Sequence, residues 1–270
     1  MKKILLIIIL AATLFASGCV RITTGAKKVL CGSTILLSLV KDCGGLDEAV
    51  LVPSDVCPGS FDLRPEDAAK ILSAEVFLIQ PFQQALAGKA LKINPKIAVD
   101  TIRTDDMTIP ENYFRGLEET AAVLEKYFPG LSGQFSSGIN SRINEIRGSV
   151  INDMDYIQKV RKKNIYVLAS GFQVVSARYM GLNVAGTFGG PESLKPADLR
   201  GLLAAAKSKH VSLIISNMTG THDSTADILN KSLKVKKAVF IVFPGESGSA
   251  SMFMNLWEYN LSRLKNALGE

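Results

Sequence analysis

The sequence predicts an α/β protein of two lobes, each with a roughly four-stranded parallel sheet flanked by helices, joined by one long interlobe helix. Three observations predict this fold. Eight short apolar runs occur along the chain, helical segments alternate with them, and the stretch 132–160 contains no strand pattern. Alternating strands and helices are typical of parallel α/β sheets.

The eight apolar runs are rich in Val, Ile and Leu, a composition typical of strands buried on both faces. They form two sets of four, at 28–31, 49–53, 75–79 and 96–99, then at 164–169, 183–188, 210–215 and 238–243.

Amphipathic segments separate these runs, which predicts right-handed crossovers between parallel strands. Pro65, Pro110 and Pro196 each suit the first turn of a helix, where a missing N–H costs nothing. The predicted helices cover 33–43, 65–73, 110–128, 172–180, 196–209, 224–233 and 251–268.

The middle of the chain has a helical pattern. Its apolar residues follow spacings of 4, 3, 4, 4 and 3, at Ile139, Ile143, Ile146, Val150, Met154 and Ile157. Such a helix would be about 40 Å long and would tie two lobes together rigidly. The alternative is an ordinary crossover helix within one domain. We favour the tie, with lobes at 27–130 and 161–270 and the helix at 131–160, because a fresh set of strands follows it.

The first 18 residues resemble a secretory leader. Lys2 and Lys3 precede an apolar run that is too short for a comfortable membrane span. The run ends in the segment 15–19, Phe-Ala-Ser-Gly-Cys, which resembles a bacterial lipobox. We therefore expect a lipoprotein signal peptide at 1–18, lipid on Cys19, and a place outside the cytoplasm on the cell-envelope membrane. Plain secretion, with no role for Cys19, is the alternative.

The charge of the sequence argues against a nucleic-acid-binding function. The net charge is +6, or +4 without the two leader lysines, and the basic residues are spread along the chain. A nucleic-acid partner is therefore not expected.

Three cysteines, Cys31, Cys43 and Cys57, remain after Cys19. An odd number outside the cytoplasm allows one internal disulfide, and the sequence does not decide which pair would form it.

The segment 52–65, which contains Pro-Gly-Ser-Phe-Asp-Leu-Arg-Pro, resembles a stretch of the zinc/manganese substrate-binding lipoproteins of ABC transporters. Gln173 before Met-Gly-Leu at 180–182, the stretch 213–217, the tail 252–268 and the long middle helix are also similar. The resemblance implies a ligand cleft between the lobes, a membrane permease as partner and a divalent metal, Zn²⁺ or Mn²⁺, as cargo. A monomer is expected.

The chain departs from this family at the metal ligands. The resemblance places one histidine position at Ser60, a second near Ser170 and a carboxylate position near Asn217, and no histidine occurs before His210. A hydroxyl is a poor ligand for Zn²⁺ or Mn²⁺ beside imidazole or thiolate. The usual metal site is therefore absent or rebuilt.

Two replacement sites are open. The first is a metal site with sulfur, oxygen and nitrogen ligands from both lobes, and its candidate ligands are Cys57, Asp62, His222 and Asp223. Asp105 and Asp106 could add further carboxylates to it. Each has a structural alternative, since Cys57 could join a disulfide and the others could cap helices. Amides and hydroxyls at Ser60, Ser170, Gln173 and Asn217 instead suit a polar organic ligand or a chelated metal.

An enzyme is not expected. The segment 245–249, Gly-Glu-Ser-Gly-Ser, lacks the final glycine of a nucleophile elbow, and no histidine follows Ser247. Two functions remain: the receptor of an ABC importer, and an accessory lipoprotein that keeps the fold without transporting metal.

Overall fold

A computed structural model describes residues 28–57, 61–103, 106–218, 221–245 and 252–270. It contains two four-stranded parallel sheets, as predicted. The first sheet contains β1 (Lys28–Cys31), β2 (Asp47–Val50), β3 (Val76–Ile79) and β4 (Ala98–Thr101). The second contains β5 (Tyr166–Ser170), β6 (Asn183–Phe188), β7 (Leu213–Asn217) and β8 (Lys236–Phe240).

The two sheets share one topology. The strand order is β2-β1-β3-β4 in the first and β6-β5-β7-β8 in the second. The central pair is therefore β1 with β3 in one lobe and β5 with β7 in the other. Loops that follow the two strands of a central pair lie side by side at the carboxyl edge of the sheet.

Helices flank both sheets. In the first lobe they are α1 (Thr34–Asp42), α2 (Asp67–Ser73), α3 (Gln84–Ile93) and α4 (Pro110–Tyr127). The long helix α5 (Ser132–Lys162) follows, and the second lobe adds α6 (Val174–Tyr179), α7 (Pro196–Ser208), α8 (His222–Leu233) and α9 (Met252–Leu268). At 31 residues, α5 is about 46 Å long.

Helix α3 was not predicted. Its buried side chains are Leu86, Ala87 and Ala90, and the remainder of its first seven residues is Gln, Ala, Gly and Lys. Two alanines carry little hydrophobic weight, so the segment has only a weak apolar stripe. The structure shows that it nevertheless packs against the first sheet.

Alternate residues of the central strands face two different cores. Val29, Cys31 and Leu78 face one cluster, whereas Leu30 and Phe77 face another. The first of these clusters continues through α5 and α9 to Val167 and Leu213 of the second sheet. The two lobes therefore share a continuous apolar core, and α5 lies within it.

Within the described ranges, no helix has both the length and the apolar character needed to cross a membrane.

Candidate functional site

Segments that follow β4 in the first lobe and β5 in the second lobe contact each other. Ser176 of α6 donates a hydrogen bond to the Thr108 hydroxyl, which belongs to the segment between β4 and α4. Beside it, Tyr179 donates to the Glu111 carboxylate at 3.2 Å. Ligands of open α/β sheets bind at the carboxyl ends of the strands, so the loops after β1, β3, β5 and β7 are the candidate site.

Ser170 and His222 form the centre of this region in the second lobe. The hydroxyl of Ser170, at the end of β5, lies 2.7 Å from Nδ1 of His222, at the start of α8. Phe172 stacks on the imidazole with ring centroids 4.6 Å apart and is itself half exposed. One ring nitrogen is thus held, and no described residue forms a hydrogen bond with the other, Nε2.

Gln173 and Asn217 form a second polar pair beside the first. The Gln173 amide donates to the Asn217 side-chain oxygen at 2.8 Å, and both residues are fully buried. The Gln173 Oε1 atom is buried without a hydrogen-bond partner in the described structure. Since an unmet buried acceptor costs about 1–3 kcal/mol, this atom favours the arrival of a donor from outside the fold.

The first lobe has a related arrangement after its own central strands. Gln83 donates its amide to the carbonyl of Gly32 at 2.6 Å, and Ser33 donates to Gln80 at 3.0 Å. In each lobe, serine and glutamine side chains join the loop after one central strand to the loop after the other. The first-lobe cluster contains no histidine or carboxylate.

The carboxylates of Asp62 and Asp223 are held by groups other than His222. Asp62 is highly exposed and forms an ion pair with Lys89, which lowers the pKa of its carboxyl group. Asp223 accepts hydrogen bonds from Ser216 at 2.6 Å and Lys237 at 3.0 Å. It lines a pocket of about 610 Å³ along the edge strand β8, and His222 is not among the residues of that pocket.

The cysteine thiols do not pair among themselves. Cys31 and Cys43 are buried and free, so none of the three possible pairings is made. Burial raises the pKa of Cys43 to about 12, with a smaller contribution from Asp42. Cys57 is half-buried, and it lies just before a gap in the described residues. Cys19, Ser60, Asp105 and Ser247 lie outside the described residues.

Glu192 is a carboxylate near His222 that the sequence did not indicate. It lies in the turn after β6, and its Oε2 atom accepts a hydrogen bond from Thr221 at 2.9 Å. A hydrogen bond from its own backbone and the Thr221 bond lower the pKa of Glu192. Partial burial lowers the pKa of His222, while the Glu192 charge acts in the opposite direction. At neutral pH the pair is therefore a neutral imidazole beside a carboxylate.

Within the described ranges, no group of three or more His, Cys, Asp or Glu side chains has the arrangement of a metal site. The candidate site is instead an imidazole, a carboxylate, a hydroxyl and two amides, next to exposed Phe172. This set can donate and accept hydrogen bonds and offers one nitrogen and one charged oxygen to a metal.

Solved structures confirm the fold. The Mn-bound periplasmic metal binding protein of Candidatus Liberibacter asiaticus is 17% identical, with a TM-score of 0.69 over 90% of this chain and 99% of that one. The SBP FpvC of P. aeruginosa, in complex with Ni²⁺, is 15% identical, with a TM-score of 0.73 over 90% and 97% of the two chains. The periplasmic zinc binding protein TroA of Treponema pallidum is 13% identical, with a TM-score of 0.71 over 90% and 99%. No protein-family model and no curated protein matches the sequence.

Proposed function

We propose that this chain is an extracytoplasmic solute-binding lipoprotein of an ABC importer, anchored to the membrane through Cys19. It captures a metal ion held in an organic complex and delivers it to a membrane permease. The leader at 1–18 supports the location, and the fold supports the class, since the solved proteins that share it are described as metal-binding or as bound to a metal. The role is binding, not catalysis.

The observation that carries this proposal is the buried acceptor of Gln173 beside the Ser170–His222 pair. The Gln173 Oε1 atom lies in the protein interior with no partner among the described residues. Buried polar groups are nearly always satisfied by protein, water or ligand. An O–H or N–H group of a bound solute would satisfy it, and polar organic ligands supply such groups.

The donor set favours a metal complex over a bare ion. Zn²⁺ and Mn²⁺ sites need four to six ligands, chiefly imidazole, thiolate or carboxylate. His222 supplies one imidazole, while Ser170, Gln173 and Asn217 are neutral oxygen and nitrogen groups. A chelator would supply the missing ligands and would present polar groups to the amides. Zn²⁺ and Mn²⁺ are the metals that we propose.

A second function is favoured by the way the polar side chains satisfy one another. Ser170 pairs with His222, and Gln173 pairs with Asn217. Nearly all the hydrogen bonds of these side chains are made within the cluster. An accessory lipoprotein that had lost metal transport would keep such a cluster. The unmet Oε1 atom of Gln173 is the feature of this cluster that favours a ligand.

Calorimetric titration of the purified, untagged protein distinguishes the two functions. The probes are Zn²⁺ and Mn²⁺ as chlorides and as citrate complexes, and elemental mass spectrometry measures metal retained after dialysis. We expect the citrate complexes to bind and to raise Tm as RT ln(1 + [L]/Kd) predicts. His222→Asn should abolish both effects, whereas His210→Asn, at the exposed second histidine, should not. If the protein retains no metal and no probe gives a heat of binding, the receptor function is contradicted and the accessory function is supported.

A further inference from the structure

The turn after β6 brings a carboxylate to His222. This turn begins at Gly189 and Gly190, and Glu192 follows in a short 3-10 turn, Pro191–Ser193. Thr221, the residue before His222, donates its hydroxyl to Glu192 at 2.9 Å. The carboxylate is thereby held against the first turn of α8, one residue from the imidazole.

Gly190 makes room for this contact. A Cβ atom on Gly190 would lie 2.1 Å from Glu192 Oε1 and 2.2 Å from the Thr221 hydroxyl. The backbone at Gly190 has φ −68° and ψ 163°, a conformation open to any residue. The glycine is therefore required by space and not by backbone geometry. Any side chain there would displace the Glu192 carboxylate.

His222 is oriented like an imidazole that binds a ligand through Nε2. Ser170 contacts Nδ1 at 2.7 Å, and Phe172 stacks on the ring face. Ligating histidines in proteins characteristically have the other ring nitrogen fixed by a hydrogen bond, which sets the tautomer and the ring plane. In the tautomer that carries its proton on Nδ1, His222 donates to Ser170 and the lone pair of Nε2 is available to a ligand.

We infer that Glu192 and His222 together form a two-donor clamp, one carboxylate oxygen and one imidazole nitrogen, that completes the coordination shell of a divalent metal already held by a chelator. This inference rests on the proposed function and specifies its substrate. The complex must leave two adjacent coordination positions open. The clamp carries one negative charge, so it disfavours strongly anionic complexes. The half-exposed ring of Phe172 gives the organic part of the complex an apolar surface.

A bare ion does not suit the clamp. Two donors leave half or more of the coordination shell to water. The described residues offer no third His, Cys, Asp or Glu that would complete a metal group with these two. A chelator without open positions does not suit it either, because neither Nε2 nor the carboxylate would reach the metal.

The test uses the untagged full chain and two nickel complexes. Ni²⁺–nitrilotriacetate leaves two adjacent positions open, whereas Ni²⁺–EDTA leaves none. We expect calorimetric binding of the first and not of the second, together with a shift of the nickel absorption bands as protein nitrogen replaces water. Glu192→Gln should raise Kd for Ni²⁺–nitrilotriacetate about 10- to 100-fold. Glu258→Gln, an exposed residue of α9, is the matched control and should leave Kd unchanged.

Gly190→Ala provides a second variant, since it displaces the carboxylate without removing it. It should raise Kd in the same direction as Glu192→Gln while Tm stays close to that of the wild type. If Glu192→Gln and Gly190→Ala bind like the wild type while His222→Asn does not, the clamp is overturned and the proposed function stands. If the wild type binds no metal or metal complex at all, the proposed function itself is overturned.

Discussion

Ser176 and Thr108, 68 residues apart in sequence, form a buried hydrogen bond between the two lobes. Thr108 donates in turn to the Asp106 carboxylate, and its backbone N–H reaches the same oxygen at 2.9 Å. Three polar groups thus form a series of hydrogen bonds from α6 to the loop after β4. Because this series connects the two lobes, it contributes to the stability of the contact between them.

Removing the Thr108 hydroxyl should destabilise the protein. Thr108→Val keeps the shape of the side chain but leaves Ser176 and Asp106 without this partner, which costs about 1–3 kcal/mol. Ser176→Ala should cost less, because Thr108 keeps its bond to Asp106. Urea unfolding of both single variants and the double variant measures the coupling, expected at about 0.5–3 kcal/mol. The exposed Ser208→Ala is the control, and strictly additive effects would contradict a direct link.

Asp106 makes stability depend on pH. Burial raises the pKa of this carboxyl above its ordinary value of 3.8, against the opposing effect of its bonds to Thr108. The folded state therefore binds the proton more tightly than the unfolded state, and ionisation costs stability as pH rises through the folded pKa. Asp106→Asn keeps an oxygen acceptor and removes this cost. We expect it to stabilise the protein at pH 7.

The pH profile of Tm distinguishes this cause from a packing effect. The gain of Asp106→Asn should shrink as pH falls through the folded pKa and vanish well below pH 3.8, where the wild-type carboxyl is protonated in both states. A gain that is constant between pH 4 and pH 8, or a loss at pH 7, would contradict the prediction.

Most of the fold was predictable because the apolar pattern within each short segment indicates whether it forms a strand or a helix. Strands such as β3 are apolar without interruption, since Phe77 and Leu78 face two separate cores. Helix α5 was predictable from its apolar spacing. Helix α3 was not, because small alanines make much of its buried face. Its existence depends on packing against the first sheet, which no local pattern describes.

The candidate site was only partly predictable, because it depends on strand order. Ser170 ends β5, Gln173 follows it and Asn217 ends β7, and the resemblance to the substrate-binding lipoproteins singled out all three. That β5 lies beside β7, with β6 outside, is what pairs Ser170 with His222 across 52 residues. Glu192 follows the edge strand β6 through a glycine turn. Glu192 can approach His222 because Gly190 has no Cβ atom to block the carboxylate. The spacing of residues in the sequence does not reveal this contact.

Two glycines on α5 should respond oppositely to alanine. A Cβ on Gly138 would lie 2.7–2.8 Å from the backbone of Cys43 and Gly44, where α5 crosses the end of α1. On Gly148 it would meet no described atom outside its own helix within 4 Å. Gly148→Ala should stabilise the protein by about 0.5–1 kcal/mol through helix propensity. Gly138→Ala should destabilise it by about 1–3 kcal/mol, because backbone must move. Urea unfolding of both variants measures the contrast, and a gain at both positions would show that α5 moves freely over α1.

Trp257 fixes α9 to the long helix, and its replacement tests whether packing or charge holds the contact. It is the only tryptophan, is fully buried, and donates its indole N–H to Asp153 of α5 at 2.9 Å. Tyr179 of α6 packs edge-on against its ring. Trp257→Phe removes the N–H donor and part of the ring volume, so it should cost about 1–3 kcal/mol of unfolding free energy. Asp153→Asn keeps an acceptor for the indole and loses only the partly exposed pair with Lys265, which is worth less than about 1 kcal/mol. Circular dichroism during urea unfolding reports on both variants. A larger loss for Asp153→Asn than for Trp257→Phe would mean that charge, and not the buried ring, holds α9 to α5.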